Sequence, residues 1–228
     1  MKPRAGLAAA GVALVLAGAG FGIWRSPWLK LETVQVTGNH HATAAEVVAA
    51  AGLQRGTRLT SISGAAVAAR VRSLAWVEQA TVTHVLPSRI RIAVRERTPA
   101  VVVASAGRSY LVDASGVVLS DRGSGYPVVT ALPLTSVLFP GDHVGDLGFT
   151  AAIAVLRGLP AALRPQLGVI SAPSPDLVTV HLSGGMAITY GSAQDLSSKN
   201  DDVTALLAAG HYTSIDVRSP SHPAAAPS

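Results

Sequence analysis

Three groups of side chains in this 228-residue chain have the types and spacing that chemistry needs. Asp142-His143 with Asp146 puts an imidazole base beside two carboxylates, the partners a serine nucleophile requires. His40-His41 offers half of a metal site. Arg89, Arg91 and Arg95 alternate along one segment, so an extended backbone carries their guanidinium groups on one side, where they suit phosphate or carboxylate. Each group also has a plainer reading. No Gly-x-Ser-x-Gly elbow accompanies Asp142-His143, which sits in a Pro/Gly-rich crossing where Asp and His settle turns. His-Glu-x-x-His is absent, and adjacent histidines on an extended chain point to opposite sides. The arginine row reads first as the wet face of a half-buried strand, and its surplus charge leaves Arg89, Arg91 and Arg95 open to facing lipid. The chain has no cysteine, which excludes a disulfide framework, thiolate zinc and a cysteine nucleophile. No catalytic residue, metal site, cofactor or small-molecule substrate is expected.

The elements that carry these groups follow from composition and pattern. Hydrophobic residues make up 49% of the chain but aromatics only 4%, so any core must be aliphatic. The formal charge of +5 is unevenly spread. Residues 25–110 hold eleven Lys/Arg against four Glu, while residues 111–228 hold five against nine acidic groups. A basic half followed by an acidic one is compatible with anionic lipid nearby. Nucleic acid is not expected as a partner, because the arginines alternate on a strand without interleaved aromatics to stack bases.

Residues 1–4 are a basic stub, expected to be cytoplasmic. Residues 5–24 carry no charge over twenty positions, enough for a helix to cross a bilayer core of about 30 Å. A cleaved leader ending at Ala17-Gly18-Ala19 is the alternative and stays open. The apolar run continues through Phe21-Gly22-Ile23, and Trp24 and Trp28 flank Arg25 as an interfacial belt would, which favours an uncleaved anchor. Residues 25–30 then link to an exported remainder.

From Leu31 to Pro99 the pattern is β-α-α-β-β. Val34 and Val36 alternate along a strand that stops at Gly38-Asn39. Thr43-Ala44-Ala45-Glu46 reads as a capping box, and Gly52 as the end of the helix it opens. Ser63 caps a second helix with Val67, Val71 and Leu74 facing inward. After Trp76-Val77 comes a strand, a turn at Pro87-Ser88, and a strand that buries Ile90, Ile92 and Val94.

Val34-x-Val36-x-Gly38-Asn39, Gly52-Leu53-x-x-Gly56, Leu74-Ala75-Trp76-Val77, Pro87-Ser88-x-Ile90 and Val94-x-Glu96-Arg97-x-Pro99 resemble, in order, the POTRA domain of the cell-division family FtsQ/DivIB. Tyr110-Leu111-Val112-Asp113-x-x-Gly116 resembles a segment of the same family's β domain. Ile215-Asp216-Val217-Arg218, with Lys199 and Leu206-Leu207 upstream, resembles the end of that domain. The resemblance covers residues 31–218.

The expected fold is therefore α+β. It has an N-terminal transmembrane helix (5–24), a POTRA domain (31–99), a mixed β domain with flanking helices (100–218), and a disordered Pro/Ala tail (219–228). The strand before the tail is expected to present a free edge for strand addition. The resemblance implies a non-enzymatic divisome scaffold in the cell membrane at the septum, and the slight basic excess of Lys2, Arg4 and the amino terminus over Arg25 and Lys30 puts the N-terminus in the cytoplasm. It also implies that the last strand region takes up FtsB and FtsL; here that region is Ile215, Asp216, Val217, Arg218 and Ser219. The rival function is a POTRA-containing transport or assembly chaperone module of the envelope, which calls for further POTRA repeats or a barrel downstream.

Overall fold

A computed structural model describes residues 29–131, 136–220 and 222–227. The expected stub, the span 5–24 and most of the linker lie outside them. No helix among the described residues is long and apolar enough to cross a membrane. The chain divides into two compact units at the Glu96–Arg97 junction.

In the first unit β1 (Thr33–Thr37) leads to α1 (Ala44–Ala51), a short 3-10 turn at Leu59–Ser61, α2 (Gly64–Val71), β2 (Val77–Val85) and β3 (Arg89–Glu96). The β-α-α-β-β order is present. The three strands align as β1-β3-β2, with β3 parallel to β1 and antiparallel to β2. Alternation puts Ile90, Ile92 and Val94 on the inner face, where Val47 and Ala51 of α1 and Val67 and Val71 of α2 cover them. The helix ends are closed as their residue types require. Thr43 and Glu46 form a reciprocal capping box, Gly52 ends α1 in the left-handed region, and the Ser63 hydroxyl accepts from Ala66 N. Gly38, at φ 81°, lies so close to β3 that a Cβ there would overlap the Val94 carbonyl oxygen.

The second unit contains β4 (Pro99–Ser105), β5 (Arg108–Asp113), β6 (Val118–Ser120), β7 (Val128–Ala131), α3 (Leu147–Gly158), β8 (Leu167–Ser174), β9 (Leu177–Leu182), β10 (Ala187–Gly191), α4 (Leu196–Ala209), β11 (Tyr212–Asp216) and β12 (Ala224–Pro227). Its described strands make one nine-stranded sheet in the order β12-β11-β10-β9-β8-β7-β4-β5-β6. The core beside α3 and α4 is largely aliphatic, with Tyr110, Phe149 and Tyr190 as its aromatic members.

Two elements depart from the sequence reading. β7 lies in a stretch to which the sequence reading gives no element, just ahead of the irregular crossing, yet it fills the gap between β4 and β8, parallel to both. The tail reads as disordered, but residues 224–227 form β12, antiparallel to β11. Alanine and proline have little strand preference. What orders them is the row of β11 backbone groups left unpaired on that side.

Candidate functional site

The site sits at the β10-β11-β12 end of the large sheet. Thr189 of β10 faces Asp216 of β11, and the Val217 amide donates to the Thr189 carbonyl at 3.0 Å. Backbone groups alternate sides along a strand, so residues 215 and 217 bond toward β10 while residues 214 and 216 bond toward β12. Ser214 pairs with Ala226 and Asp216 with Ala224. The expectation of a free edge at this strand therefore fails, because β11 is paired on both sides and β12 is the outer strand.

By the same alternation, residues 223, 225 and 227 turn their backbone outward. Pro223 and Pro227 have no N–H, so Ala225 supplies the outward amide of this stretch. The edge is thus poor in donors, the usual way of blunting a sheet.

The five expected partner-binding residues divide between core and surface. Ile215 and Val217 are buried, while Asp216 is half-buried and Arg218 and Ser219 stand at the surface. Asp216 and Arg218 form a fork, with Arg218 Nη2 donating to Asp216 Oδ2 at 2.7 Å and Nε donating to both carboxylate oxygens at 3.0 and 3.1 Å. The Arg218 amide donates to Asp216 Oδ1 at 3.0 Å. The hydrogen bonds from the Arg218 guanidinium hold the Asp216 carboxyl below its ordinary range, against the opposing effect of burial. The stem of Arg218 lies over Gly191, where a Cβ would crowd it. Thr189, Ser214 and Asp216 line a shallow groove of about 340 Å³ with Ala224, Ala225 and Ala226, whose short side chains leave it open.

Two residues outside the expected partner-binding set, Lys199 and Asn200, hold this end in place. Lys199, buried in α4, donates from Nζ to the carbonyls of Tyr190 and Ser192 at 2.9 Å each. Burial lowers its pKa, and Asp195 works in the other direction. Asn200 accepts from the Tyr190 hydroxyl at 2.8 Å and donates to the Gly158 carbonyl at 2.8 Å. Burial pushes the Tyr190 hydroxyl up to about 12. A signal for Lys199 did exist, since it interrupts an apolar helix face between Leu196 and Val203.

The other chemistry-bearing residues have structural partners. Asp142 Oδ2 accepts from Phe139 N at 2.8 Å, and Asp146 caps α3 by accepting from Phe149 N at 2.9 Å. His143 joins an isolated bridge to Val117. His41 stacks on Trp76, with ring centroids 4.0 Å apart, and its Nδ1 lies 3.0 Å from Glu96. Glu96 also accepts from the amides of His40, His41 and Ala42 at 2.8–3.0 Å. Burial opposes its ionisation, but these donors prevail and hold the carboxyl at about 2. Arg89, Arg91 and Arg95 are exposed on the outer sheet face, and Arg95 donates to Glu78 at 2.9 Å.

The scattered sequence motifs thus meet in space. Glu96 of the fifth motif closes the loop that follows the Gly38-Asn39 motif. Arg97 donates to Asp113 of the Tyr-Leu-Val-Asp segment at 2.9 Å, and Asp113 in turn accepts from the Ser115 and Val117 amides.

A β-α-α-β-β unit followed by a large mixed sheet with flanking helices defines a POTRA-bearing α+β protein. Residues 29–97 match the FtsQ-type POTRA domain, and residues 100–218 match the C-terminal domain of cell division protein FtsQ/DivIB. The chain belongs to the FtsQ/DivIB family of cell division proteins. It is 32% identical over 212 residues to cell division protein FtsQ of Mycobacteroides abscessus, covering 93% of this chain and 66% of that one. It is 32% identical over 228 residues to cell division protein FtsQ of Streptomyces venezuelae, covering 97% and 83%. Against the Mycobacterium leprae protein the chain spans 58% of the relative's length. A solved structure, the major extracytoplasmic domain of the trans isomer of the cell division protein DivIB from Geobacillus stearothermophilus, aligns with TM-score 0.33 at 20% identity, covering 50% of this chain and 93% of that one.

Proposed function

We propose that this chain is a non-enzymatic, single-pass scaffold of the division machinery. Residues 5–24 anchor it in the cell membrane with residues 1–4 cytoplasmic. The POTRA domain (31–99) and the β domain (100–218) are exported, and the chain links early and late division proteins at the septum. Its partners are FtsB- and FtsL-type proteins, taken up at residues 215–219. Family membership supports the division role, and the geometry of β11 supports the manner of capture.

The observation that carries this reading is the way β12 covers β11. Of its four residues, Ala225 is the one packed against the core, so β12 contributes little apolar burial. Its backbone occupies the Ser214 and Asp216 bonding positions. A partner strand with larger side chains replaces β12 there and fills the groove over Thr189 and Asp216. Until then β12 blunts the sheet, and apparent affinity is reduced by the fraction of chains in which it is seated.

The test is binding of a purified FtsB/FtsL pair to the full chain and to a chain ending at Ser219. The shortened chain is expected to bind several-fold tighter, and Asp216→Lys with Arg218→Glu to weaken both. Equal or weaker binding by the shortened chain would refute replacement. In cells, a fluorescent fusion is expected to form a mid-cell band, and a uniform envelope signal would count against the division role.

A further inference from the structure

The first unit separates its charges along its length. Because β3 runs parallel to β1, Thr33 lies opposite Arg89 and Thr37 opposite Ala93. Arg89 therefore stands at the proximal end, where the chain comes in, and Glu96 at the distal end. At the proximal end the Leu29 carbonyl accepts from Leu59 N at 2.9 Å, Lys30 bridges Arg58, and Gly56 N donates to the Leu31 carbonyl at 2.8 Å. These bonds gather Lys30, Arg55 and Arg58 beside the start of β1. Arg89 begins β3, and Arg91 stands one pleat further in. All five are exposed, and none makes an ion pair or side-chain hydrogen bond among the described residues.

The carboxylates lie elsewhere. Glu46 is in its capping box, Glu78 holds Arg95, and Glu96 holds the loop amides, all toward the distal end. Among the described residues of this unit, Glu32 is the one carboxylate near the proximal cations. The unit is thus a dipole with its positive end toward the N-terminus of the chain.

Only residues 25–28 separate Leu29 from the uncharged stretch 5–24, and four extended residues reach about 14 Å. Resting on the reading of 5–24 as a membrane anchor, this tether keeps the positive end close to the bilayer surface, where headgroup charge is felt over about 8–10 Å. We propose that the proximal end of the first unit is seated on the phosphates of anionic lipid headgroups, with Arg89 and Arg91 as the principal contacts. Gln35 and Thr83, which flank Arg91 in the sheet register, are exposed donors on the same face. Arg95 takes no part, since Glu78 already holds it at the far end. The seat fixes how the unit stands on the membrane and leaves its distal end turned outward.

The chain has no cysteine, so one introduced thiol reports cleanly. Full-length Gln35→Cys would be reconstituted in nanodiscs of phosphatidylcholine, or of equimolar phosphatidylcholine and phosphatidylglycerol, and its reaction with an uncharged maleimide timed. Modification is expected to be about thirtyfold slower in the anionic discs, from roughly 1 kcal/mol for each of Arg89 and Arg91. High salt, or Arg89→Gln with Arg91→Gln, is expected to restore the faster rate. Ala45→Cys on α1 is expected to react equally in both discs. Equal rates for Gln35→Cys in both discs would overturn the assignment. So would protection by soluble polyphosphate in neutral discs without protection by anionic lipid. Failure of the chain to co-purify with either disc would bring down the anchor itself and this seat with it, whereas co-purification without protection would bring down the seat alone.

Discussion

The loop after β1 and the outer strand of the large sheet solve the same problem in opposite ways. Each is a stretch of backbone with polar groups to satisfy at the end of a sheet. In the first unit a side chain does it. Glu96, largely enclosed, accepts from three consecutive amides, His40 to Ala42, while His41 lies against Trp76. In the second unit another stretch of backbone does it, with three alanines and a proline lying along β11. A charged acceptor fixed by several donors makes a permanent closure. A strand of alanines that buries little suits the exchange proposed for it. Under the proposed function, the contrast gives structure to one end of the chain and partner exchange to the other.

The sharpest way to break that contrast is to remove the permanent closure. Glu96→Ala leaves the loop amides without their acceptor and is expected to destabilise the first unit by about 3 kcal/mol, as loss of hydrogen bonds to a charged group does. Urea unfolding checks this, and Glu96→Gln is expected to recover part of the loss. The pH dependence has a definite sign. Glu96 ionises at about 2 in the folded chain against an ordinary 4.5, so its contribution is fully present above pH 4.5 and is lost as pH falls toward 2. In Glu96→Gln that acid-limb slope is expected to be shallower.

Lys199→Met keeps the apolar stem but removes the donor to the Tyr190 and Ser192 carbonyls, and is expected to cost about 2 kcal/mol in the second unit. The same denaturation series measures it. The smallest effect is expected from ending the chain at Ser219. Losing β12 should lower stability by less than about 1 kcal/mol, since roughly one methyl's worth of burial is given up. A larger loss would make β12 a structural strand and dissolve the contrast.

Much of the first unit was legible because its signals are local. Thr43 with Glu46, Ser63 and Gly52 announce helix ends within four residues, and Ile90, Ile92 and Val94 announce a buried face by alternation alone. What stayed hidden depends on distant partners. Nothing near Glu96 shows that its carboxylate closes a loop more than fifty positions earlier. β7 owes its place to parallel neighbours on both sides, and Val128–Ala131 is too short a run after Pro127 to mark itself as a strand. At the candidate site, Asp216 and Arg218 were identifiable from the end of the family pattern. The placement of Ile215 and Val217 in the core follows from register with β10. β12 was hidden because alanine and proline argue against a strand, and only the unpaired side of β11 makes one there.

The exchange of β12 is tested most directly by amide hydrogen exchange on the chain with and without an FtsB/FtsL pair. Ala224 and Ala226 donate toward β11, whereas the Ala225 amide points outward. On binding, the Ala224 and Ala226 amides are expected to lose protection while those of Ser214 and Asp216 keep it, because a partner strand has taken the place of β12. If Ala224 and Ala226 stay protected and Ala225 becomes protected as well, the partner has added outside β12, and the replacement account is contradicted.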